Sequence, residues 1–80
     1  MSTYTAVKNR LLCLMEEKHI SIHKLACDSA VPPSTVKNIL YGKSKNPGIV
    51  TLKMLCDGLE ITLTEFFDTE EFRALEQEIK

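Results

Sequence analysis

Apolar residues recur along this chain at spacings of three and four, and that period predicts helices from end to end. Over Ala6 to Lys18, Val7, Leu11, Leu14 and Met15 form one stripe that ends at Lys18, while Asn9, Arg10, Glu16 and Glu17 occupy polar faces. Leu12 and Cys13 widen the apolar surface. His19 breaks the pattern, Ile20 returns to the core, and Ser21 caps a second helix with its hydroxyl. In that helix Ile22, Leu25 and Ala26 share a face. Pro32-Pro33 cannot continue a helix but can open one, because proline suits the first helical position. The third helix runs to Tyr41, with Val36, Ile39 and Leu40 inward and Ser34, Lys37, Asn38 and Tyr41 outward. Gly42 supplies the left-handed residue that stops it.

The loop Lys43-Ser44-Lys45-Asn46-Pro47-Gly48 holds two cations and no acid. A fourth helix follows from about Ile49 to Gly58, with Leu52, Leu55, Cys56 and Leu59 inward. Thr62-Leu63-Thr64-Glu65 is a capping box, in which Thr62 and Glu65 each satisfy the other's backbone amide, and it starts a short fifth helix ending near Phe67. Asp68-Thr69-Glu70-Glu71 is a second candidate box, opening a sixth helix from Glu70 to Ile79. Phe72, Leu75 and Ile79 form its apolar line, and that line needs a partner, either its own domain or a second subunit.

The fold expected is all-α. Eighty residues make one domain with a marginal core, and lining a catalytic cleft would consume much of it, so size favours a binding module over an enzyme. Cys13, Cys27 and Cys56 are odd in number and widely spaced, which fits neither a disulfide framework nor a metal site. They read instead as small core or half-buried residues. No cofactor, metal or small-molecule ligand is expected. With no apolar run near 18 residues and no signal peptide, the chain reads as a soluble cytoplasmic protein without membrane contact.

Charge sharpens the picture. Residues 1–53 carry eight Lys or Arg against three acids, a balance of +5, whereas residues 54–80 carry eight acids against two cations, a balance of −6. A basic half of this kind points to nucleic acid. It coincides with the two short helices and tight turn of residues 21–47, the geometry that lays a second helix in the DNA major groove.

Leu25-Ala26, Val31, Ser34-Thr35-Val36, Ile39, Gly42, Lys43, Asn46-Pro47, Leu52, Leu55, Leu59 and Ile61, in that order and spacing, resemble the Cro and lambda-repressor type of helix-turn-helix family. The resemblance covers roughly Val7 to Phe67. It implies a five-helix repressor-like bundle over residues 1–67, with residues 68–80 added as a C-terminal helix. It further implies a recognition helix over about 33–41, with Pro33, Ser34, Lys37 and Asn38 facing base edges. Lys can donate to guanine, Asn can pair bidentately with adenine, and Ser serves either. Phosphate contacts are expected from Lys43, Lys45, Thr35 and the backbone around Ser44 to Asn46, with Ser21 and His23 at the start of the second helix. Asn9 and Arg10 are further candidates.

Four positions depart from the family pattern. Ile22 stands where a phosphate-binding Gln is frequent. Met15 and Leu40 stand where some members pair Arg with Glu, a swap of an ion pair for an apolar contact that costs little when well packed. Pro32 replaces a hydroxyl cap worth roughly 1 kcal/mol. The function expected is sequence-specific binding of double-stranded DNA by a transcriptional regulator, as a homodimer joined through Phe72, Leu75 and Ile79. The alternative is a protein-interaction module, antitoxin-like or a regulator's partner, that keeps the fold without binding DNA.

Overall fold

A computed structural model describes residues 1–79, and among them every regular element is helical. The elements are α1 (Thr3–Lys18), α2 (Ile22–Ser29), α3 (Pro33–Leu40), α4 (Ile49–Gly58), α5 (Leu63–Phe67) and α6 (Glu70–Arg73). The expected stripes converge on one core. Val7, Leu11, Leu14 and Met15 of α1 meet Leu25 and Ala26 of α2, Val36, Ile39 and Leu40 of α3, and Leu52, Leu55 and Cys56 of α4. Leu59 and Phe66 complete it, and both are fully buried. Met15 and Leu40 are buried in that same cluster, so an apolar pair does stand at the two positions.

Three helices end alike, and none of them uses glycine. His19 after α1, Ala30 after α2 and Glu60 after α4 all adopt left-handed backbone, with φ of 53°, 55° and 61°. In each case the next amide reaches back across the last turn: Ile20 to Met15, Val31 to Ala26 and Ile61 to Cys56, at 3.1, 3.0 and 3.0 Å. The residue making that bond is apolar each time and turns into the core, which is the hydrophobic contact that accompanies this helix ending. Gly58 has a different purpose. A Cβ there would overlap the Ser29 hydroxyl and sit 3.0 and 3.1 Å from the Ser29 Cβ and Cα, so the glycine lets α2 and α4 pack in contact.

The structure corrects four local expectations. First, α1 starts at Thr3, not Ala6, because the Ser2 hydroxyl accepts from the Thr5 amide and caps it. Second, Leu12, Cys13 and Cys27 are exposed, since the buried stripes of α1 and α2 are complete without them; only Cys56 is buried, and burial raises its thiol pKa. Third, Thr62 and Glu65 form their capping box, but Asp68 to Glu71 does not. The helix cap there is Thr69, without a side-chain bond, and Arg73 instead holds both Asp68 and Glu70.

The fourth correction concerns length. The sixth helix is a single turn ending at Arg73, not a helix to Ile79. Phe72 is drawn inward, its ring 6.0 Å from Phe66 and 4.8 Å from Phe67, edge-on to the latter. With Phe72 committed there, only Leu75 and Ile79 remain as large apolar residues after α6, too few for a packed helical face, and a short helix without tertiary packing is marginal in water. Phe72, Leu75 and Ile79 therefore do not make one helical face. Leu75 is half-buried and Ile79 is 86% exposed.

Candidate nucleic-acid interface

The inner face of α3 is fixed by Val36, Ile39 and Leu40, which are 0%, 1% and 7% exposed. Helical geometry then turns Ser34, Lys37 and Asn38 outward, and all three are exposed, while Pro33 is half-buried at the first helical position. Pro32 precedes it as the cap residue and offers no side-chain acceptor. The regular helix ends at Leu40, one residue short of the expected limit, and Tyr41 caps it and is 72% exposed on the same outer stripe.

Beyond Tyr41 the chain reverses at Gly42, whose φ of +86° is the left-handed value required there. The Ser44 amide then donates to the Asn38 carbonyl at 2.9 Å, folding the loop back against the end of α3. That amide is consequently engaged within the chain; the Ser44 hydroxyl and the exposed Lys43, Lys45 and Asn46 are what the loop presents. Thr35 is half-buried. Ser21 caps α2 by accepting from the Lys24 amide at 3.1 Å, which leaves its hydroxyl proton available to a second acceptor. His23 is exposed on the first turn of α2.

The electrostatics follow from which cations already have partners. Among the described residues, Lys24 pairs with Asp28 at 3.2 Å, Lys53 with Asp57, and Arg73 with Asp68 and Glu70. Lys37, Lys43 and Lys45 have no such pairing among these residues. Three unneutralised ammonium groups on α3 and the loop after it suit a polyanion.

Two α1 side chains tie that helix to its neighbours. Arg10 was a candidate for DNA, but its guanidinium donates to the Phe66 and Glu65 carbonyls at 2.8 and 2.9 Å and thereby caps the end of α5. Tyr4 is a positioning residue outside the expected set. Its hydroxyl donates to the Ile39 carbonyl at 2.5 Å, tying the start of α1 to the last turn of α3. Tyr4, Val7, Leu11 and Leu14 continue one helical stripe, a signal that extends the α1 pattern back by a turn.

This geometry has close parallels. Over 55 residues the chain is 40% identical to the HTH-type transcriptional regulator SlrR of Bacillus subtilis (strain 168), a match covering 69% of this chain and 36% of that protein. The chain thus spans only about a third of that relative's length. Among solved structures, the prophage Lp1 protein 11 is similar with a TM-score of 0.79 at 29% identity, covering 94% of this chain and 100% of that one. The profile of the Cro/C1-type HTH DNA-binding domain matches residues 10–71. A match over most of the chain, on a bundle that carries the two-helix motif with its outward polar face, means that this protein belongs to the Cro/C1-type helix-turn-helix DNA-binding domain family.

Proposed function

We propose that this protein is a transcriptional regulator of the cytoplasm that binds double-stranded DNA in a sequence-specific manner, with α3 in the major groove. The observation that carries the reading is the coincidence of an exposed Ser34, Lys37 and Asn38 on α3 with Lys43 and Lys45, which form no ion pair among the described residues, on the loop that follows. Base-edge contacts fall to Pro33, Ser34, Lys37 and Asn38. Phosphate contacts fall to Lys43, Lys45, Asn46, the hydroxyls of Ser21, Thr35 and Ser44, and His23. The role is binding and not catalysis.

One recognition helix spans few base pairs, so we place two copies on half-sites about one helical turn, roughly 34 Å, apart. Their contact would use surface other than Phe72, whose ring packs within its own chain. Leu75 and Ile79 remain the apolar residues of the tail for such a contact.

Selection from a random duplex pool tests the function directly. The wild-type protein enriches one sequence, and its affinity falls steeply with salt as phosphate contacts release counterions. Lys43→Glu with Lys45→Glu abolishes binding while helicity by circular dichroism stays unchanged. A wild-type protein that retains no duplex at low salt would overturn the reading and favour a protein-interaction module.

A further inference from the structure

The chain after α6 runs along the surface, exposed from Glu76 to Ile79. It returns to the start of α1, where Glu78 accepts a hydrogen bond from the Thr3 hydroxyl at 2.6 Å, across 75 residues of sequence. There Glu78 lines a cavity of about 810 Å³ together with Tyr4, Lys45, Asn46 and Phe67. Two of those residues, Lys45 and Asn46, belong to the loop assigned to DNA phosphates. The tail's path is anchored at its start by Phe72 on Phe66 and Phe67, and at its far side by the Thr3 bond. An acid therefore lines the same cavity as part of the loop to which the proposed function assigns phosphates.

We propose that residues 75–79 form an autoinhibitory strap, in which Glu78 occupies the margin of the phosphate-binding loop and opposes DNA until the strap is released. This rests on the DNA-binding function proposed above. The physics is competition for one electrostatic site. Glu78 lowers the positive potential around Lys45 while it is held in place, and a phosphate brought to that loop is repelled by it. Only the strap-open population then binds fully, so the measured dissociation constant is the intrinsic one divided by the open fraction. Linkage requires the converse: duplex DNA displaces the strap. The latch itself is a single exposed hydrogen bond, weak enough to open and strong enough to bias the equilibrium.

The test separates the latch from a general change in charge. Affinity for a mixed-sequence duplex at low salt is measured by fluorescence anisotropy for four proteins: wild type, Thr3→Val, Glu78→Gln and Glu71→Gln. Thr3→Val removes the donor without changing net charge. Glu71→Gln changes net charge by the same amount as Glu78→Gln but lies on α6, exposed and outside the lining of that cavity. The expected result is that Thr3→Val, which loses the hydrogen bond, and Glu78→Gln, which keeps an acceptor for Thr3 but loses the charge, each tighten binding about two- to fivefold, whereas Glu71→Gln does so by less. Circular dichroism of all four confirms that they are folded. If the wild type binds and Thr3→Val and Glu78→Gln bind no tighter, the strap is overturned and the DNA-binding function stands. Equal tightening by Glu78→Gln and Glu71→Gln, with Thr3→Val unchanged, also overturns it, because bulk charge then accounts for the effect. If none of the four binds duplex, the DNA-binding function fails and the strap falls with it.

Discussion

Two kinds of side chain meet on the proposed DNA surface, and they divide the work. Lys37 and Asn38 project from a helix whose opposite face is locked in the core, so their positions are set to within a rotamer. Groups held that firmly can discriminate between base edges. Lys43 and Lys45 sit on a loop and carry charge, which a phosphate reads without regard to sequence. Accordingly, Asn38→Ala or Lys37→Ala costs about 1–3 kcal/mol on the preferred duplex and relaxes preference at one base pair. Lys43→Ala weakens preferred and random duplexes by the same factor. Competition titrations with both duplexes at fixed salt check this, and equal losses for all three substitutions would remove α3 as the reading element. Chemistry at the cysteines follows the same logic of position: Cys56 is held as a thiol by burial, while Cys13 and Cys27 lie open to solvent.

At the scale of elements, the helices were legible in the sequence because each buries one regular stripe, and Val36, Ile39 and Leu40 or Leu52, Leu55 and Cys56 were placed inward from spacing alone. Their endings were less legible. A sequence reading looks for glycine at left-handed positions, yet His19, Ala30 and Glu60 hold those positions here and the apolar residue after each does the anchoring. Gly58 ends α4 as expected from the sequence and is also a contact between helices, a fact that depends on Ser29 across the gap and so cannot be read locally. On the candidate site, the outward residues of α3 followed from period, whereas the commitment of Arg10 to the α5 carbonyls depended on where α5 would land. The two glycine effects give opposite predictions. Ala30→Gly relieves a left-handed alanine and raises stability by about 0.5–1 kcal/mol after the entropy of the unfolded glycine is counted. Gly58→Ala, which would gain from helix propensity at an open site, here forces α2 from α4 and loses about 1–3 kcal/mol. Thermal melts decide both, and a stabilised Gly58→Ala would mean that the two helices can part cheaply.

Taken as a whole molecule, the C-terminal segment is where sequence and structure diverge most. An apolar residue every third or fourth position suggested a helix reaching for a second copy, but the aromatic cluster of Phe66, Phe67 and Phe72 satisfies the largest of those residues at home. Periodicity reports that a side chain needs cover and says nothing about which surface provides it. Phe72→Ala is thus expected to lower unfolding free energy by about 2 kcal/mol, less than a fully buried Phe would cost, without changing the sedimentation of the folded protein. A folded monomer obtained from a dimeric wild type would return that ring to an interface between copies.

The bond from Tyr4 to Ile39 bears on how far this reading head can be transplanted. The carbonyl it satisfies belongs to the last turn of α3, where helices lack partners of their own. A graft of residues 21–47 into another scaffold would carry every side chain expected to touch DNA, yet leave behind the phenol that steadies the end of the helix. It would also lose the α1 and α4 residues that back Val36 and Ile39. The motif is contiguous in sequence but not self-supporting, and the smallest transferable unit is the bundle that includes Tyr4.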